Sequence, residues 1–100
     1  MRRGTKHTGI SPATKRTVWE RDGGRCVLCG TVHAAPCAHI IPRSLGGMGI
    51  ETNIVTLCER CHREYDQGEE RKRIRAILER YMRQHYPQWT EEENIYRKWR

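Results

Sequence analysis

Phenylalanine is absent from this chain of 100 residues, and only 36% of the positions are hydrophobic. The core must therefore be assembled from a few Ile, Leu and Val side chains together with Trp19, Trp89, Trp99 and four tyrosines. A chain of this length buries one small core, which excludes a multidomain enzyme. No stretch approaches the roughly 18 consecutive apolar residues of a membrane span. The opening Met1-Arg-Arg-Gly-Thr-Lys-His7 has no apolar run of the kind that directs secretion. A soluble, cytoplasmic protein without a membrane partner is the expectation. Acidic residues are also in deficit, 12 against 19 Lys and Arg for a net charge of +7, so the first partner to consider is a polyanion.

A core this thin usually needs a staple, and five cysteines and five histidines are available to build one. Cys26-x-x-Cys29 and Cys58-x-x-Cys61 form two knuckles at the two ends of a long intervening segment, a layout that gathers four thiolates around one tetrahedral ion. Two disulfides are the alternative, but each would close a very small loop with little entropic benefit. A structural, closed zinc site is the stronger expectation, and it would supply folding free energy that the core lacks. Cys37 is left over. It reads either as a small buried apolar residue or as a ligand near the functional site.

The local pattern predicts short elements. Residues 1–10 read as a flexible basic arm. Ser11-Pro12 has the form of an N-cap followed by Pro at the first helical position, with a helix running to Arg21 and ending at Asp22-Gly23-Gly24; Val18 and Trp19 are its inward candidates. Short strands are expected at 37–41 and near 53–56, and a helix from the second knuckle to about Asp66. Beyond Gly68, residues Ile74, Ile77, Leu78, Tyr81, Met82 and His85 recur at three- and four-residue steps, which predicts a long helix ending near Tyr86 before Pro87. Thr90 to Glu93 has capping-box spacing, which predicts a terminal helix carrying Ile95, Tyr96 and Trp99.

Between and after the knuckles stand His39-Ile-Ile-Pro42-Arg-Ser-Leu-Gly-Gly47, Asn53-Ile-Val-Thr-Leu-Cys58 and Cys61-His62. Metal-assisted phosphodiester cleavage needs a base for water, a group that orients the base, and a divalent cation on the scissile phosphate. Imidazole suits the first role near neutral pH, an Asn amide can hold a backbone loop, and a helix-borne imidazole can bind the ion. His7, His33 and His85 have no partner pattern and read as incidental.

From Val18 to Gly68 the chain resembles the HNH endonucleases of the ββα-metal (His-Me finger) class. The resemblance is carried by Val18-Trp-Glu-Arg21-Asp-Gly-Gly-Arg-Cys26, by both knuckles, and by the His39, Asn53 and His62 segments in that order. It implies an α+β fold: a small ββα-metal finger stabilised by a four-cysteine zinc site, with flanking N- and C-terminal helices. Residues 11–68 would be the nuclease domain and 69–100 a C-terminal helical extension. It further implies that His39 is the general base, that Asn53 fixes the loop and the base, and that His62 binds a catalytic Mg(II), Mn(II), Ni(II) or Zn(II). The products would carry 5′-phosphate and 3′-hydroxyl ends.

One position departs from the pattern. Many members carry Asp, sometimes His, before the base histidine as a second metal ligand, and this chain has Ala38. Cys37, Glu51, Glu64 and Asp66 are the available substitutes. DNA is the implied partner, with Arg43, Lys15 and Arg16 the leading phosphate contacts; Arg2, Arg3, Lys6, Arg21 and the arginines of the long helix are further candidates. For the long-helix arginines a solvated face over an apolar stripe is the plainer reading. The resemblance also brings phage or mobile-element settings, where a packaging or other protein partner is expected, and the C-terminal aromatics offer a homodimer surface as an alternative to a monomer. The rival class is a non-catalytic zinc module that binds DNA or a protein. A purely structural zinc-ribbon adaptor explains the cysteines but not His39, Pro42, Gly46, Gly47, Asn53 and His62.

Overall fold

A computed structural model describes residues 9–96. Arg2, Arg3, Lys6 and His7 of the expected arm, and Trp99, lie outside them. Helix α1 spans Pro12–Arg21, with Ser11 as its N-cap: the Ser11 hydroxyl accepts from the Thr14 amide at 3.1 Å, and Pro12 occupies the first turn, where its missing N–H costs nothing. Val18 is fully buried, but Trp19 lies outward, 38% exposed. Its indole lies against Gly24, where a Cβ would come within 3.0 Å of the ring and where the left-handed φ of +67° favours glycine.

Strands β1 (Ala35–His39) and β2 (Ile54–Leu57) form an antiparallel pair in which Ala35 faces Leu57, Ala38 faces Val55 and His39 faces Ile54. β1 carries an irregularity between Ala35 and Ala38. Pro36 lies within that span and has no N–H for a ladder bond, which is where extra residues and bulges settle. The strand therefore begins earlier than the apolar run predicts and ends at His39. Ile41 leaves the ladder because its amide bonds a side chain, the Asn53 carboxamide, at 2.9 Å. A single 3-10 turn, Arg43–Leu45, follows.

Helix α2 (Glu59–Gln67) grows directly from the second knuckle, the Cys58 sulfur capping it by accepting from the Cys61 amide at 3.4 Å. Helix α3 (Arg71–His85) buries Ile74, Leu78 and Met82 at four-residue steps, while Ile77 stays 40% exposed. Through Tyr96, the last described residue, the expected terminal helix does not form. Thr90 accepts from the Glu93 amide, as a capping box begins, but only one 3-10 turn follows, Glu92–Asn94, and Ile95 is extended. The backbone there finds better partners in the loop after β1: Gly47 and Ile95 bridge, the Met48 amide donates to the Asn94 carbonyl at 2.9 Å, and the Tyr96 amide to that of Gly46 at 2.8 Å.

One cluster of buried side chains joins Cys26, Ile40, Ile41, Val55, Leu57 and Tyr65 to Ile74, Leu78, Met82, Trp89 and Ile95. The knuckles, the strand pair, α3 and the segment after it thus share a core. Among the described residues, no helix is long and apolar enough to cross a membrane.

Candidate functional site

The four knuckle cysteines converge: the sulfurs of Cys26, Cys29, Cys58 and Cys61 all lie within 4.8 Å of one another, and Cys29 and Cys58 approach to 3.6 Å. None of the four is in a disulfide. Bonds of about 2.3 Å around a tetrahedral zinc set sulfurs roughly 3.8 Å apart, so the set fits that ion. Burial opposes ionisation of Cys26, yet amide donors at Cys29, Cys58 and Leu28 outweigh it and bring the thiol down to about 7. Burial and the neighbouring thiols push Cys61 up instead. Three of the four are buried, as a structural site requires, and Cys29 is exposed.

On the other side of β1 lies a cleft of about 700 Å³. Cys37 and His39 of β1, Pro42, Arg43 and Ser44 of the following loop, His62 and Asp66 of α2, Lys15 of α1 and Arg71 of α3 all line it. Three cationic side chains from three elements therefore surround two imidazoles. The His62 Nε2 stands 3.2 Å from an Asp66 carboxylate oxygen one helical turn on, both groups partly exposed. Among the described residues, the four thiols form the only set of three or more ligand atoms that converges; the cleft offers its donors as a pair with neighbours.

The backbone after His39 is held on every side. The Ile40 amide donates to the Asn53 carbonyl at 2.9 Å, and the Ile40 carbonyl accepts from the buried Tyr65 hydroxyl at 2.5 Å. Asn53 is fully buried; its carboxamide accepts from the Ile41 amide and donates to the carbonyls of Ile41 (3.2 Å) and Met48 (2.9 Å). Gly47 packs so closely on the Ile41 carbonyl that a Cβ would overlap it. Asn53 thus uses both ends of one planar group to fasten the two ends of the loop at Ile41 and Met48, a task neither Asp nor Leu could perform.

Residue by residue, the cleft gathers His39, His62, Arg43 and Lys15; Asn53 does not line it but bonds the backbone at Ile40 and Ile41, and Arg16 is exposed on α1 and does not line it either. Cys37 is not the buried apolar residue of the plainer reading: it is exposed and faces the cleft. Of the other substitutes for the missing ligand, Asp66 lines the cleft, Glu51 accepts from Tyr86 instead, and Glu64 does not line it. Ala38 is fully buried in the core cluster. Arg21 is a correction. Its guanidinium is buried in an ion pair with Asp22 (2.8 Å) and donates to the Glu51 and Ile54 carbonyls, so it has no phosphate to meet. Tyr65 was invisible as a loop anchor, since its only mark in the sequence is its place three residues after His62.

A model of the HNH endonuclease family matches residues 26–78, just over half of the chain. This chain belongs to the HNH endonuclease family. The curated protein Anaredoxin of Nostoc sp. is 41% identical over 46 residues, which cover 45% of this chain and 60% of that protein. The HNH match takes in both knuckles, His39, Asn53, His62 and Asp66, and stops inside α3. Lys15, the Arg21–Asp22 pair and the segment that bridges to Gly47 lie outside it.

Proposed function

We propose that this chain is a metal-dependent endonuclease that nicks or cleaves DNA by phosphodiester hydrolysis. The observation that carries the reading is the joint lining of one cleft by His39, His62 and the cations Lys15, Arg43 and Arg71. A polyanionic backbone enters such a cleft with release of counterions, and the open cleft leaves room for a strand. His39 accepts the proton of the attacking water as the new phosphorus–oxygen bond forms and the bond to the 3′-oxygen breaks, leaving 5′-phosphate and 3′-hydroxyl ends. Asn53 and Tyr65 hold the backbone that carries His39, so the imidazole meets the water without first being ordered. His62, with Asp66 at 3.2 Å, presents a nitrogen and oxygen donor set that suits Mg(II), Mn(II), Ni(II) or Zn(II). Such a cation would stabilise the charge that builds on the leaving 3′-oxygen. Cys37, on the same cleft wall, is the softer donor within the site.

A second reading, a non-catalytic zinc-stabilised module that binds DNA or a protein partner, draws support from Ala38, which contributes a methyl group to the core and no ligand atom.

Nicking of supercoiled plasmid with each of the four metals, wild type against His39→Ala, separates the two. Loss of a general base lowers the rate by about 10²–10⁴-fold while DNA affinity is kept. Intact plasmid with every metal, together with salt-dependent DNA binding by both proteins, would select the second reading.

A further inference from the structure

The segment after α3 lies beyond the HNH match, yet it reaches into the loop between His39 and Asn53. Asn94 is buried, 1% exposed, and all of its polar groups are used. Its carbonyl accepts from the Met48 amide at 2.9 Å, its side-chain oxygen accepts from the Thr52 hydroxyl at 2.6 Å, and its side-chain nitrogen donates to the Thr90 carbonyl at 2.7 Å. Met48 is the shared element: its carbonyl, on the other side, accepts from Asn53. Trp89, also buried, adds a tie by donating its indole N–H to the Thr52 carbonyl at 2.5 Å.

We propose that Asn94 is a positioning residue for the His39 site: it fixes Met48 and Thr52, these fix the Asn53 carboxamide, and Asn53 fixes the backbone at Ile40 and Ile41. The inference rests on the nuclease reading for its effect on rate, but its structural part stands apart from it. A buried amide with every partner satisfied is costly to disturb, and the loop it holds has no regular structure beyond one 3-10 turn to hold itself.

Truncating Asn94 endangers the whole fold, so Thr52 carries the test. Thr52→Val removes the hydroxyl that donates to Asn94 and keeps the volume; Thr52→Ser keeps the hydroxyl. Two readouts are taken on the full chain loaded with zinc: amide hydrogen exchange, and single-turnover nicking of plasmid by saturating protein with Mn(II), beside DNA affinity. In Thr52→Val the amides of Met48 and Ile41 are expected to exchange about tenfold faster, with Leu78 and Met82 of α3 unchanged. Nicking is expected to slow by about fivefold or more with DNA affinity within about twofold, and Thr52→Ser to restore both. Faster exchange at Met48 with Ile41 and nicking unchanged would overturn the proposal, as would an equal increase at every amide. If the wild type leaves plasmid intact with every metal, the nuclease reading fails on its own, and exchange at Ile41 decides whether Asn94 positions this loop.

Discussion

The hydroxyl of Tyr81, on α3, donates at 2.5 Å to the carboxylate of Asp22, at the end of α1, a partner fifty-nine positions earlier in the chain. The same carboxylate accepts from the Thr56 amide of β2 at 2.8 Å and pairs twice with its neighbour Arg21. Arg21 in turn lies about 6 Å from the ring centres of Tyr81 and Tyr86. One ion pair thus fastens the first helix to the sheet and to the long helix, and both of its charges are taken out of water.

Removing the negative partner strands a buried guanidinium. Asp22→Asn should cost about 3–5 kcal/mol, the usual penalty for breaking one side of a buried pair. Burial acts to raise the Asp22 pKa, but Arg21 and Tyr81 outweigh it and hold the carboxyl below its ordinary value. A depressed folded pKa gives stability that is full above the unfolded value, near 4, and is lost as the pH falls through the folded one. The difference in thermal midpoint between wild type and Asp22→Asn, which cancels contributions shared by both, is therefore expected to shrink below about pH 4. A constant difference down to pH 2 would show that the charge on Asp22 is not what stabilises the fold.

Zinc should be inseparable from folding. Apparent binding energies of structural zinc, about 10–16 kcal/mol, match or exceed the roughly 5–15 kcal/mol by which whole domains are stable. Native mass spectrometry should find bound zinc in the wild type and in Cys37→Ser, and none in Cys29→Ser. Prolonged chelation should abolish the cooperative thermal transition. Zinc lost from Cys37→Ser would mean that the metal site is not the one the four knuckle sulfurs form.

At position 53, Asp is expected to be no better than Ala. The Asn53 amide nitrogen donates to two carbonyls, and a carboxylate there would face both oxygens with a charge and no proton. Each substitution should lower stability by at least about 2 kcal/mol in denaturant unfolding. A stable Asn53→Asp would indicate that the Ile41 and Met48 carbonyls turn elsewhere.

Lys15 and Arg71 should act through charge alone. Replacing either by Ala is expected to weaken DNA binding for every sequence alike and to reduce the slope of log affinity against log salt by about one. Arg83, which lies 5.4 Å from the Trp89 ring centre and does not line the cleft, is the control. Equal slopes for all three variants would remove these two cations from the binding surface.

The parts of the fold written in neighbouring residues were legible in the sequence. Ser11-Pro12 marks a helix start, the four-residue steps of Ile74, Leu78 and Met82 mark a buried helical stripe, and the two knuckles mark a metal centre. What failed depended on distant partners. Arg21 looks like any other surface cation until Asp22, Tyr81 and Tyr86 close on it. Thr90 to Glu93 caps a helix correctly, but whether the helix continues is decided by competition, and Gly46 to Met48 offered the backbone a better exchange. Trp19 turned outward because α1 buries a face only one residue wide at Val18, and Gly24 gave the indole a place to rest. Cys37 fell on the cleft side of an irregular strand whose cause, Pro36, was visible but whose direction was not. His39 and His62 stand out in the sequence by type and order, and both line the cleft; Tyr65 and Asn94, whose bonds run to the backbone of the loop after β1, carry no such signature.

The bridge between Gly47 and Ile95 also sets how this protein can be cut and joined. The stretch that matches its family ends inside α3, but a fragment trimmed to those borders would leave a slot where Trp89 sits and an open hydrogen-bonding edge along Gly46 to Met48. Unsatisfied edges of that sort recruit strands from other molecules. A portable unit therefore has to carry the segment through Ile95 and Tyr96 along with the residues that match the family.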